Sequence, residues 1–177
     1  MDQSRRLKRI ILVGKGGSGK DYLRKKLENC GFKYCISHTS RPPRDGEVNG
    51  EDYYFLPEDY LRKEFNPGDS FYEWVIFNDW FYGTSKEEFY KSNLFIMTPS
   101  GVSKLLPEDR KESLIIFLDI DEQNRRSRLL QRRDADQVER RLLADHVDFL
   151  DFVDYDEKIT DPNFKTDHWW NNLNLYN

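Results

Sequence analysis

The sequence predicts an α/β protein with a mainly parallel sheet flanked by helices and an inserted, strand-rich section. Three observations predict it. The apolar, β-branched run Ile10-Ile11-Leu12-Val13 breaks into the glycine loop Gly14-Lys15-Gly16-Gly17-Ser18-Gly19-Lys20 and then into a helical pattern. Further short apolar strands alternate with helices, the order that builds a parallel sheet covered on both faces. From roughly Ser37 to Thr84 an aromatic, strand-rich stretch breaks that alternation and reads as an insertion.

The opening strand, loop and helix form the context that a phosphate-binding P-loop requires. Glycines let backbone N–H groups turn inward around a polyphosphate, the helix N-terminus adds partial positive charge, and Lys20 neutralises phosphate oxygens. Leu23 and Leu27, four apart, share one side of the first helix. One position departs from the motif: Asp21 stands where Ser or Thr holds Mg2+. The helix ends at Asn29-Cys30-Gly31, with Gly31 as a left-handed cap. Phe32-Lys33-Tyr34-Cys35-Ile36 reads as a second strand.

The polar stretch Ser37 to Leu56 holds Arg41-Pro42-Pro43-Arg44. Taken alone it is a solvated turn, a proline-rich docking site, or two guanidiniums held in fixed relation to grip a phosphate. Pro57 to Leu61 suggests a short helix and Phe65 to Asp69 a turn. Ser70 to Asn78 has strand composition, with Glu73 among aromatics. That carboxylate either faces water on an edge strand or is buried against hydrogen-bond donors. Ser85 caps a helix from Lys86 to Lys91. Leu94 to Met97 is a buried strand, and Thr98-Pro99-Ser100-Gly101 opens a brief helix that stops near Pro107.

Leu114 to Leu118 is a strand and Glu122 to Leu130 a basic helix. A second helix runs from Ala135 to about Leu150, with Val138, Leu142, Leu143, Val147 and Leu150 as one apolar stripe. Lys158-Ile159-Thr160 is a short strand, and His168-Trp169-Trp170 a packing anchor.

The 177 residues suit one domain with a sizeable core. A net charge of −4 gives no general reason to expect a nucleic-acid polymer, although small polyanions need only a local basic patch. Cys30 and Cys35 lack metal-ligand company and read as reduced thiols. The short charged N-terminus is no signal peptide, and no run approaches membrane-spanning length. These features predict a soluble, cytoplasmic chain.

Ser37-His38-Thr39-Ser40-Arg41-Pro42-Pro43-Arg44-Asp45-Gly46-Glu47-Val48-Asn49-Gly50-Glu51-Asp52-Tyr53-Tyr54-Phe55 closely resembles the guanylate kinase signature, S-x-T-S/T-R-x-P-R-x-G-E-x-x-G-x-D-Y-x-F. Glu73-Trp74 and Tyr82-Gly83-Thr84-Ser85 match the family's later E-W and Y-G-S/T elements. With the P-loop, the resemblance runs in order from Ile10 to about Thr160.

The resemblance implies the fold of a P-loop nucleoside monophosphate kinase, with a nucleotide-monophosphate-binding lobe and a helical lid. On it the core is 1–36, 92–120 and 150–177, the lobe 37–91 and the lid 121–149. It implies ATP on the loop Gly14 to Asp21, with Mg2+ near Asp21 through water. It implies that Arg41, Arg44, Tyr53 and Tyr82 hold the acceptor phosphate, and that Ser37 and Glu73 meet guanine with Thr84 close by. Lys20, Arg41 and the lid arginines Arg132, Arg133 and Arg141 become the catalytic groups. The chemistry is consistent: guanine offers N1–H and N2–H donors that one carboxylate accepts together, and phosphoryl transfer needs positioning and charge compensation.

Three features depart from the family: Asp21, Thr98 in a stretch where the family carries an Asp-Ile-Asp, and a lid about two residues short. Thr98 still offers a hydroxyl to a base edge. The activity implied is ATP-dependent phosphorylation of GMP or dGMP, with small nucleotides as partners rather than nucleic acid or membrane. The alternatives are a catalytically inactive guanylate-kinase-like binding module and a kinase for another or modified deoxynucleotide.

Overall fold

The computed structural model describes residues 7–57, 59, 68–77, 79–131 and 138–164. They form two compact units, one built on residues up to Phe32 and from Leu94 onward, the other on Lys33–Asn93.

The first unit is organised on β1 (Arg9–Gly14). It lies between β6 (Leu94–Met97) and β7 (Ser113–Leu118), with β8 (Glu157–Ile159) beyond β7, and every pairing is parallel. Ile11 stands opposite both Phe95 and Ile115. Ile10 to Val13 are all buried, as a strand covered on both faces requires. Parallel neighbours need crossovers, and helices supply them. α1 (Lys20–Asn29) buries Leu23 and Leu27. It stops as predicted, with Gly31 at φ 92° donating its N–H to the Glu28 carbonyl.

Four expectations for local structure need correction. Phe32–Ile36 is not a strand. Phe32 and Cys35 are the buried positions, three apart rather than alternating. The Lys33 backbone bonds to Asn93, through its side-chain oxygen and backbone N–H, instead of joining a ladder. The first lobe strand is β2 (His38–Thr39), and the stretch read as polar, Ser37 to Leu56, also yields β3 (Tyr54–Phe55). Pro107 does not only end what precedes it: after α3 (Pro99–Val102) it opens α4 (Pro107–Lys111), because the first helical turn needs no N–H from that residue.

The apolar stripe of α6 (Val138–Asp148) is only half used. Val138 and Leu142 are buried with Leu129 of α5 (Glu122–Leu130), while Leu143, Val147 and the following Leu150 are exposed. Neighbours 142 and 143 point a quarter-turn or more apart, and the contact with α5 covers only one strip. Residues 135–137, expected in this helix, lie outside those described, as do His168-Trp169-Trp170 and most of the helix and turn expected over 57–69.

The second unit is a mixed sheet in the order β3-β2-β5-β4, with β4 (Phe71–Phe77) and β5 (Trp80–Ser85) forming a hairpin. Its two-residue turn places Asp79 at φ 63°, a conformation aspartate tolerates better than most residues. A bulge between Phe71 and Glu73 inserts Tyr72. Phe71 and Tyr72 therefore both reach aromatic partners, Phe81 at 5.0 Å and Phe89 at 3.6 Å between ring centroids. Gly83 lies under this cluster, where a Cβ would come within 2.6 Å of the Phe81 ring. After β5, the Ser85 hydroxyl accepts the Glu88 N–H and starts α2 (Lys86–Lys91).

Candidate active site

In the first unit, β1 runs into the glycine loop beside the end of β7. A Cβ on Gly14 would lie 2.7 Å from Ser18 Oγ and 3.0 Å from the Leu118 carbonyl, so only glycine allows this approach. Gly17 and Gly19 have φ of 77° and 100°. The loop carbonyls are taken up by cations: Lys20 Nζ donates to Gly14 (2.5 Å) and Lys15 (3.1 Å). From α5, Arg128 Nη1 donates to Gly17 (3.0 Å) and Ser18 (3.2 Å), and its Nη2 to the Pro162 carbonyl. Arg125 Nη1 donates to Gly16 (3.3 Å), and its Nε to Ile120 (3.1 Å). Binding these carbonyls fixes the peptide planes of the loop and thereby the directions of its N–H groups. One of those groups, Gly16 N–H, is bonded to Asp145 Oδ2 at 2.9 Å.

Asp21 follows Lys20 in the first turn of α1, exposed, with Arg24 Nε 4.0 Å away. Among the described residues no group of three or more His, Cys, Asp or Glu side chains is placed to hold a metal. A single hard carboxylate beside a phosphate loop nevertheless fits Mg2+, which keeps several waters and relies on one or two carboxylates with substrate phosphates.

In the second unit, Thr39 fixes the entry to the Arg41–Arg44 turn. Its Oγ1 donates to the Phe81 carbonyl (2.8 Å) and accepts the Arg41 N–H (3.1 Å). Arg41 is buried, with Nη2 on Glu47 Oε1 (3.0 Å) and its guanidinium 5.4 Å from the Tyr53 ring centroid. Burial disfavours its charge, but the Glu47 hydrogen bond and charge, with Tyr82 and Tyr53, hold its pKa above the ordinary arginine value. Glu47 Oε2 also accepts the Arg44 N–H (2.6 Å), so one carboxylate braces both arginines. Tyr53 and Tyr82 meet edge to face at 6.3 Å.

Glu73 stands opposite Thr84, and Val75 opposite Tyr82, so these residues share one face of the hairpin. Thr84 Oγ1 donates to Glu73 Oε1 at 2.7 Å, which orients the carboxylate on this face.

The second unit thus gathers Arg41, Arg44, Tyr53, Tyr82, Glu73 and Thr84. Ser37, also of this unit, receives the Tyr54 N–H on its carbonyl. Thr98 belongs to the first unit, where its hydroxyl caps α3 by accepting the Gly101 N–H (3.1 Å). Arg141 lies in α6, while Arg132 and Arg133 fall outside the described residues. Sequence reasoning passed over Glu47, Arg125, Arg128 and Asp145. Glu47 sat inside the quoted signature. The two α5 arginines were visible as a basic cluster, but their loop partners are more than 100 residues away.

Together the parallel core with its P-loop and the mixed-sheet lobe define a P-loop nucleoside monophosphate kinase fold. The chain belongs to the guanylate kinase family: the family's sequence model matches residues 6–147. It is 44% identical to the guanylate kinase of Homo sapiens over 80 residues, which are 44% of this chain and 40% of that protein. The match to the first of its curated relatives thus spans about two-fifths of their length. A longer match, 32% identical over 166 residues, covers 88% of the chain and 90% of a Prochlorococcus marinus guanylate kinase. In fold it is similar to the crystal structure of guanylate kinase from Anaplasma phagocytophilum, with a TM-score of 0.60 and 23% identity over 96% of this chain and 86% of that one.

Proposed function

We propose that the protein transfers a phosphoryl group from ATP to GMP or dGMP. The observation that carries this reading is the Glu73–Thr84 pair on the hairpin face that also bears Tyr82, in the same unit as the braced arginines. A carboxylate oriented by the Thr84 hydroxyl suits the adjacent N1–H and N2–H donors of guanine, which one carboxylate can accept together. A base without those donors leaves the carboxylate unpaired and is rejected. Arg41, Arg44, Tyr53 and Tyr82 then hold the acceptor phosphate, with Ser37 and Thr98 available to base edges.

In this reading the glycine loop from Gly14 and Lys20 grip the donor polyphosphate. An acceptor phosphate oxygen forms its bond to the γ-phosphorus as the bond to the ADP oxygen breaks. The reaction needs positioning and positive charge around the transferring group, supplied by Lys20, Arg41 and the lid arginines Arg132, Arg133 and Arg141. Asp21 would hold Mg2+ through water, and the cation would neutralise charge on the donor phosphates. Small nucleotides are the partners, and the cytoplasm the place of action. The two free thiols support this, and no described helix is long and apolar enough to cross a membrane.

A coupled assay with ATP and Mg2+ over GMP, dGMP, AMP and dTMP tests the reading. Turnover restricted to guanine acceptors is expected. GMP binding with no turnover of any acceptor would point instead to a binding module, and preferential turnover of AMP or dTMP to a different deoxynucleotide kinase.

A further inference from the structure

Asp145, on α6, reaches the glycine loop from 129 residues away in sequence and accepts the Gly16 N–H through Oδ2 at 2.9 Å. The same oxygen receives Arg125 Nη1 at 3.1 Å. Both side chains are shielded from solvent, at 5% exposure for Arg125 and 18% for Asp145, so screening of their charges is weak. A Cβ on Gly16 would lie 3.2 Å from this oxygen, so the carboxylate seats flush against the loop. In a phosphate-cradling loop, backbone N–H groups are donors for anionic oxygens. The Asp145 oxygen does to this N–H what a phosphoryl oxygen does. Packing of α6 does not call for it: Val138 and Leu142 supply the helix's buried contacts with Leu129.

We propose that Asp145 sets donor affinity as a built-in competitor, which a donor phosphate displaces from Gly16 and from the Arg125 guanidinium. This inference rests on the reading that the loop takes the ATP polyphosphate. Two anions cannot share one N–H and one guanidinium without strong repulsion at short range. Arg125 stays in place when Asp145 leaves, because Nε holds the Ile120 carbonyl and Nη1 the Gly16 carbonyl. The displaced carboxylate thus leaves behind a shielded positive charge for the phosphate. Arg125 thereby becomes a phosphate-binding residue that the sequence motif does not include.

The test is calorimetric titration of the full chain with ATP, comparing wild type, Asp145→Ala and Asp145→Asn. With Asp145→Ala the ATP Kd is expected to fall three- to tenfold while GMP affinity is unchanged. Without nucleotide this variant should melt lower than wild type, because Arg125 loses its buried partner. It should also gain more in Tm from saturating ATP. A side chain that merely braces the loop predicts the reverse, weaker ATP binding. Unchanged or weaker ATP binding by the folded variant overturns the proposal. If Asp145→Ala does not fold, Asp145→Asn decides: it keeps the size and an acceptor oxygen but loses the charge, so tighter binding supports the proposal and equal or weaker binding overturns it. Wild-type protein that binds neither ATP nor inorganic tripolyphosphate fails the donor-loop reading and this inference together. Wild-type binding that is indifferent to position 145 fails this inference alone.

Discussion

Glu73 needs a fixed orientation to read a base, and the Thr84 hydroxyl supplies it. Glu73→Gln replaces one acceptor with an N–H2 that opposes guanine's own donors. Its GMP kcat/KM should fall about tenfold to a hundredfold, the effect of leaving a buried polar group unpaired. Activity on AMP should not fall with it, and unchanged selectivity would place base reading elsewhere. Glu47 has a structural counterpart to this role. Glu47→Ala removes the carboxylate that holds Arg41 and the Arg44 backbone, and should cost about 1–3 kcal/mol of stability in urea unfolding, with a raised KM for GMP. Most of this site was legible because the signature from Ser37 to Phe55 is contiguous in sequence. Glu47 was quoted within it but given no role, since its partners are the protein's own arginines rather than a ligand.

Among the elements, the glycine loop was the most legible, because strand, loop and helix follow one another and the motif is local. Its supports were not. Arg125, Arg128 and Asp145 reach it through tertiary contacts that no spacing rule encodes. Gly17 joins the two levels: its φ of 77° favours glycine, and a Cβ would meet the Arg125 carbonyl at 2.7 Å. Gly17→Ala should therefore destabilise by about 1–3 kcal/mol and abolish ATP binding, with GMP binding intact by calorimetry. The errors elsewhere have physical sources too. Proline signals both the end of one helix and the start of the next, and Pro107 does the second. An apolar stripe predicts burial only if something covers it; beyond Val138 and Leu142, the α6 stripe is exposed.

For the molecule as a whole, alternation of strands and helices was enough to predict the parallel core, and its interruption to predict the inserted sheet. Stability against acid depends in part on His38, which packs against Tyr54 and Phe71. Burial holds its pKa below the ordinary 6.5, with Glu88 pulling the other way and Lys91 adding to the depression. The unfolded chain therefore takes up this proton first as pH falls. The stability that neutral His38 contributes is present above pH 6.5 and is lost as pH drops through the folded-state value. Wild type should lose more of its urea midpoint between pH 7 and 5 than His38→Gln does, and parallel slopes would assign the loss to other groups.

The bulge at Tyr72 has an evolutionary side. It lets two consecutive aromatics, Phe71 and Tyr72, find ring partners while Glu73 stays in phase with Thr84. Deleting Tyr72 would remove the bulge and the ring that stacks on Phe89, while plain alternation kept Phe71 and Glu73 on opposite faces. Across descent, exchange at Tyr72 costs a packing contact outside the Glu73–Thr84 pair, whereas exchange at Glu73 removes the pair itself.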